Sequence, residues 1–270
     1  MINVQIESLR SLHLTTYFNE KVLGNATGFV VCTNDRFLLL TNRHVVTGKD
    51  NNTGECLHST GAYPNRIEIW HNSKQVSDWI AKWERLYDND DPITGKPLWV
   101  EHPVLREKAD VVAIPLQNIE SIRLYPYETQ GPKVKISPCD RVSIIGFPYG
   151  ISTFRKFPVW ITGYTASEAE LPYNDLPCFL VDARTRQAQS GSPVVFYRSP
   201  GEFLRTGDNL DLLTQPFSEL IGIYSGRINV ESDIGIVWKV PLIRDLLQEC
   251  TRNGLPEKLF SALSTSNQKF

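Results

Sequence analysis

Residues 28–46 read Gly28-Phe29-Val30-Val31-Cys32-Thr33-Asn34-Asp35-Arg36-Phe37-Leu38-Leu39-Leu40-Thr41-Asn42-Arg43-His44-Val45-Val46. Two short apolar stretches, 28–32 and 37–41, are joined by turn residues, and both predict strands. A histidine follows directly after the second. The same pattern recurs outward, with strand candidates at 12–18, 66–71 and 111–115, then 141–147, 159–166, 178–182, 193–197, 220–224 and 235–240. Seventeen glycines and 17 prolines punctuate them, so the chain reads as all-β, a barrel or a sandwich. The segment 129–136, with Gly131 and Pro132, reads as a linker dividing the strands into two groups of about six. This predicts two domains, 1–128 and 129–270.

Two stretches break the strand pattern. Val76, Trp79, Ile80, Trp83 and Tyr87 fall at helical spacing and predict a helix over 76–87. Leu242, Ile243, Leu246 and Leu247 predict a C-terminal helix over 241–250, followed by a short helix and a polar tail. The region 47–103 is too long for a barrel turn and reads as an insertion, its acidic run 88–91 a solvated loop.

Composition narrows the function classes. The formal net charge is −2, which gives no electrostatic footprint for nucleic acid or an anionic membrane. Apolar runs stay near six residues, far short of the roughly 18 that span a bilayer. The N-terminus lacks the basic start and apolar stretch of a secretory signal. Five scattered cysteines (Cys32, Cys56, Cys139, Cys178, Cys250), with no Cys-x-x-Cys pair, read as free thiols in a cytoplasmic protein without a metal site. No cofactor is expected.

Serine nucleophiles need a base, an acid that orients the base, and donors aimed at the developing oxyanion. His44 lies after a strand, Asp110 opens the apolar run Val111-Val112-Ala113-Ile114, and Ser190 sits in Gln187-Ala188-Gln189-Ser190-Gly191-Ser192-Pro193 before another strand. Each alone also suits a structural role. Asp140 and Asp182 are rival carboxylates, and His71 and His102 rival bases. A Gly-x-Ser-x-Gly elbow is absent around Ser190, which excludes an α/β-hydrolase esterase, and a phosphate-binding Gly-x-x-x-x-Gly-Lys-Ser/Thr loop is absent too.

Taken together, these segments resemble chymotrypsin-fold serine proteases, most of all the bacterial Deg/HtrA-type protease domain, over residues 25–46 and 105–245. The stretch Val142-Ser143-Ile144-Ile145-Gly146-Phe147-Pro148-Tyr149-Gly150 resembles the opening of that family's second barrel. Glu219 to Ile223 and Ile234 to Ile236 resemble the strands walling its specificity pocket. The resemblance implies two six-stranded antiparallel β-barrels with a C-terminal helix, the insertion belonging to the first. It implies His44, Asp110 and Ser190 as a catalytic triad, and Ser225 as support for Asp110. The backbone N–H groups of Ala188 and Ser190 would form the oxyanion hole. Arg184, Thr185, Tyr224, Gly226, Arg227 and Gly235 would line the specificity pocket; either arginine, if it projects inward, would favour an acidic substrate residue, the alternative being that both are exposed or paired with local acids.

One departure concerns Ala188, where the family usually has glycine. A left-handed alanine costs about 1–2 kcal/mol, so the hole is expected to be incomplete at rest and completed by substrate or partner. A peptide-binding domain of the kind Deg proteases often carry is not expected in the residues after Leu246. Activation would then come from loop ordering or a separate protein partner, the aromatic-rich insertion being either its contact surface or a small self-packed subdomain. The expected activity is cleavage of a protein or peptide substrate, with no nucleic acid or membrane partner. The alternative is a catalytically silent protease fold that binds proteins.

Overall fold

A one-turn helix, α1 (Glu7–Arg10), leads into β1 (Ser11–Phe18), β2 (Lys21–Thr33) and β3 (Arg36–Thr41). After a second short helix, α2 (Arg43–Thr47), come β4 (Arg66–Ser73), β5 (Trp79–Arg85), β6 (Val100–Glu101), β7 (Val112–Pro115) and β8 (Ile122–Arg123). The later strands are β9 (Arg141–Gly146), β10 (Val159–Thr165), β11 (Cys178–Asp182), β12 (Pro193–Arg198), β13 (Phe203–Thr206), β14 (Asn209–Leu212), β15 (Phe217–Arg227) and β16 (Ile234–Lys239). Helix α3 (Val240–Arg252) is the last element among the described residues of this computed structural model, which are 4–75, 78–130, 134–207, 209–229 and 231–252.

The molecule has the all-β, chymotrypsin-like two-barrel architecture. The second half closes as β10-β11-β16-β15-β12-β9, with β13 and β14 a separate hairpin. The first half has eight strands where six were expected, in the order β5-β4-β1-β2-β3-β7-β6, with β8 added on β4. Its pairings are antiparallel, and the insertion supplies β4, β5 and β6. The insertion therefore builds wall as well as loop. Of the expected linker 129–136, residues 131–133 lie outside the described residues.

Strand alternation sorts the side chains into three apolar clusters. Leu14, Val30, Leu39, Ile69 and Ile114 fill the first half, and Val142, Ile144, Phe179, Val194 and Val237 the second. The third cluster lies between them: Phe29, Val31, Leu38, Leu40 and Ala113 meet Ile145, Val195, Ile223 and Trp238. Strands β2, β3 and β7 are therefore buried on both faces. This is why their segments are continuous apolar runs instead of alternating ones.

Helix α3 covers the same third cluster with Leu242, Ile243, Leu246, Leu247 and Cys250. Its apolar stripe has the predicted i, i+1, i+4, i+5 spacing. The short helix and tail expected beyond it fall on residues 253–270, outside the described residues.

The helix expected over 76–87 is corrected: 79–85 form strand β5, antiparallel to β4, and residues 76–77 are not described. Two tryptophans produced the misleading period. On the strand, Trp83 packs edge-on to Tyr17 at 4.7 Å, and Trp79 packs on Phe157 at 5.0 Å. The hairpin with β4 supplies a full ladder of hydrogen bonds, and aromatic residues suit a pleated, half-buried surface.

Candidate active site

The first half delivers an imidazole and a carboxylate. Asn42, extended at φ −80° and ψ 152°, ends the run from β3 and starts α2, whose second residue is His44. Gly48 closes that turn at φ +66°, its N–H donating to His44 O at 2.9 Å. Asp110 stands just before β7 and is only 4% exposed. Its Oδ1 accepts the His44 backbone N–H at 2.9 Å, and its Oδ2 lies 2.7 Å from His44 Nδ1. Ser225 Oγ donates to the same Oδ2 at 2.5 Å. Asn42 Nδ2 fixes the Asp110 carbonyl at 2.6 Å.

Three donors on one buried carboxylate satisfy a charge that would otherwise be costly to bury. They also set the imidazole, because a proton held on Nδ1 toward Asp110 leaves the lone pair on Nε2. Burial alone would lower the His44 pKa. The charge and hydrogen bond of Asp110 outweigh it, and the net shift is upward from 6.5.

The second half delivers the hydroxyl. Ser190 lies on the turn between β11 and β12. Gly191 follows at φ +84°, where an added Cβ would lie 2.0 Å from Thr27 O and 2.5 Å from Thr41 Oγ1. Only glycine fits that approach of the turn to β2 and β3. The Ser190 hydroxyl donates to Ser225 O at 2.9 Å. Its one proton is thus parked on a backbone carbonyl in the resting site, not shared with the imidazole.

His44 and Ser190 line two adjoining hollows. One also holds Asn25, Leu57, Gln187 and Ala188. The other, about 350 Å³, holds Asp110, Tyr173, Ser225, Arg227 and Trp238. The residues from the two halves therefore meet.

Ala188 takes φ +70° as an alanine. Among the described residues neither Ala188 N–H nor Ser190 N–H donates to a protein acceptor, so both stay free for a ligand. Ala188 thus already takes the left-handed conformation whose cost underlies the expectation of a hole incomplete at rest.

The expected specificity residues divide. The Tyr224 hydroxyl hydrogen-bonds Thr185 Oγ1, both residues are buried, and the Tyr224 ring lies so close to Gly235 that an added Cβ there would come within 2.4 Å of it. Gly226 and Arg227 line the larger hollow, but Arg184 is exposed and lines neither hollow. Arg186, not predicted, donates to Thr185 O at 2.7 Å and pairs with Asp233 at 3.2 Å.

The rivals have other employment. Asp140 accepts from Ser137 N and pairs with Arg198 at 3.3 Å, and Asp182 is exposed at the end of β11. His71 is buried in the first half, where desolvation pushes its pKa down to about 4. His102 Nδ1 accepts the N–H groups of Val104 and Leu105. Among the described residues no group of three or more His, Cys, Asp or Glu side chains is placed to hold a metal ion.

Sequence reasoning missed Thr27 and Tyr149. Both hold the Ser190 turn through its backbone carbonyls, and no local pattern signals such a contact.

Comparison with known proteins bears on the family and the fold. The family model of the trypsin-like peptidase domain matches residues 26–199, more than half of the chain. No curated protein matches in sequence. The serine endoprotease from Yersinia pestis is similar in structure, with TM-score 0.54 and 14% identity over 94% of this chain and 69% of that one. Rv3671c from M. tuberculosis H37Rv, in an inactive mutant form, gives TM-score 0.49 and 14% identity over 92% of this chain and 89% of that one.

Proposed function

Because the chain belongs to the family of trypsin-like peptidase domains, we propose that it hydrolyses peptide bonds of a protein substrate through an acyl-enzyme on Ser190. The reading rests on one observation: Ser225, Asp110 and His44 form a continuous hydrogen-bonded chain that ends beside Ser190.

In the proposed reaction the Ser190 hydroxyl turns from Ser225 O to His44 Nε2. Nε2 takes the proton as Oγ attacks the substrate carbonyl, and Asp110 stabilises the imidazolium. The N–H groups of Ala188 and Ser190 receive the oxyanion. Collapse of this intermediate passes the proton to the leaving amine. Water, activated by the same imidazole, then releases the acyl group and restores the serine. The peptide would lie across His44 and Ser190 with its two sides in the two hollows. Arg227, in the larger one, favours an acidic substrate side chain there.

The test is covalent labelling with a fluorophosphonate and peptide mapping. Wild type should carry the phosphonyl group on Ser190, and Ser190→Ala none. A folded wild type that resists labelling would overturn the enzyme reading and leave the protein-binding alternative.

A further inference from the structure

Ala188 is an alanine in a conformation that favours glycine, so something outside it must hold it there. The peptide before it is fixed by Tyr149, whose backbone N–H donates to Gln187 O at 2.7 Å. In a planar trans peptide the C=O and N–H point opposite ways. A Gln187 carbonyl held toward Tyr149 therefore turns the Ala188 N–H to the other side.

The peptide after it is fixed by Thr27. Thr27 Oγ1 donates to Ala188 O at 3.0 Å, across 161 residues of chain. That hydroxyl also accepts Phe147 N–H at 3.2 Å, which directs its single proton toward Ala188. The Thr27 backbone N–H donates to Ser190 O at 2.9 Å, and Thr41 Oγ1 donates to Thr27 O at 2.9 Å. Thr27 is completely buried, so water cannot replace these bonds.

We infer that Thr27 is a positioning residue for the oxyanion hole: its hydroxyl holds Ala188 left-handed, so that the Ala188 N–H faces the reacting carbonyl. The catalytic part of this inference rests on the proposed role of Ser190. Without the hydroxyl, the Ala188 carbonyl loses its partner and the single Tyr149 bond on the preceding peptide is left to oppose the strain; the alanine then relaxes to negative φ, and the hole loses a donor.

The experiment measures the fluorophosphonate labelling rate of Ser190 in Thr27→Val, Thr27→Ser and the double variant Thr27→Val with Ala188→Gly. Losing one oxyanion donor costs roughly 100-fold, and Thr27→Val should slow labelling on that scale. Thr27→Ser keeps the hydroxyl and should label at close to the wild-type rate. Ala188→Gly in the Thr27→Val background should recover about tenfold, because glycine holds the left-handed region without help. A merely structural defect would not be repaired by a glycine at position 188. Labelling of Thr27→Val at the wild-type rate overturns the inference, as does a loss that neither serine nor glycine repairs. A crystal structure of Thr27→Val gives a readout free of activity. Ala188 at negative φ supports the inference, and Ala188 still near φ +70° overturns it. If wild type itself does not label, the reading of Ser190 fails, and the crystal structure alone decides the role of Thr27.

Discussion

The two halves hold their parts of the site by different physics. The first uses charge: one carboxylate, Asp110, gathers the His44 backbone N–H, the imidazole and the Ser225 hydroxyl. The second uses neutral backbone: the Ser190 turn is fixed by bonds to the carbonyls of Gln187, Ala188 and Ser190. The rest of the molecule follows the same division. Buried carboxylate residues among those described, Glu7, Glu84 and Asp110, all lie in the first half. The buried polar side chains of the second, Ser143, Thr165, Thr185, Gln189 and Ser192, are uncharged. The first half should respond to pH and the second to small changes of side-chain volume.

The largest effect is expected from Asp110→Asn. An amide cannot hold the imidazole in the required tautomer, and turnover should fall by about 10⁴-fold. The pH profile separates this from misfolding. In wild type the base must be neutral, so kcat/KM should fall on the acid side with an inflection above 6.5, following the raised His44 pKa. In Asp110→Asn burial dominates, and the inflection of the residual activity should move below 6.5. An inflection that does not move would mean that Asp110 does not set the His44 titration.

Gly191→Ala probes the neutral half. An added methyl meets the Thr27 carbonyl, a backbone atom that cannot rotate away. Gly201 offers a control, since its φ of +86° is nearly the same but an added Cβ meets nothing within 4 Å. Denaturant unfolding should show a loss of about 3 kcal/mol for Gly191→Ala, overpacking added to strain, against about 1 kcal/mol for Gly201→Ala. Equal losses would mean that backbone conformation alone, and not contact with the first half, makes position 191 a glycine.

The same contrast explains what could be read from the sequence. The all-β character was legible because strand segments are short, apolar and punctuated. The doubly buried β2, β3 and β7 even announced themselves as continuous apolar runs. His44 and Asp110 were legible because each abuts such a run. The β5 segment was misread because its tryptophans face neighbouring aromatic side chains, and their spacing mimicked a helical stripe. At position 188 the sequence shows an alanine where the family usually has glycine, but not the conformation that residue takes. The bonds that hold it come from Thr27 and Tyr149, through atoms every residue possesses or a hydroxyl 161 residues away. Sequence patterns report side-chain chemistry in local context, and backbone carbonyls joined across two halves leave no such trace.

The effect most dependent on conditions, vanishing at low pH, belongs to Glu84 on β5. It is 7% exposed, and its Oε1 accepts the Gln117 N–H at 2.9 Å. Burial raises its pKa from 4.5 to about 7. Between those values the unfolded chain has already released the proton that the folded chain still binds, so folding stability declines as pH rises. The loss begins near pH 4.5, is complete just above pH 7, and amounts to roughly 3 kcal/mol at most. Glu84→Gln keeps the acceptor oxygen and removes the titration. Urea unfolding should therefore give nearly equal stabilities for the two proteins at pH 4.5. At pH 8 the variant should be the more stable, by an amount approaching that limit. A gap of the same size at both pH values would show that the carboxyl does not titrate between folded and unfolded states, and the contrast between a titrating first half and a neutral second would then rest on Asp110 and His44 alone.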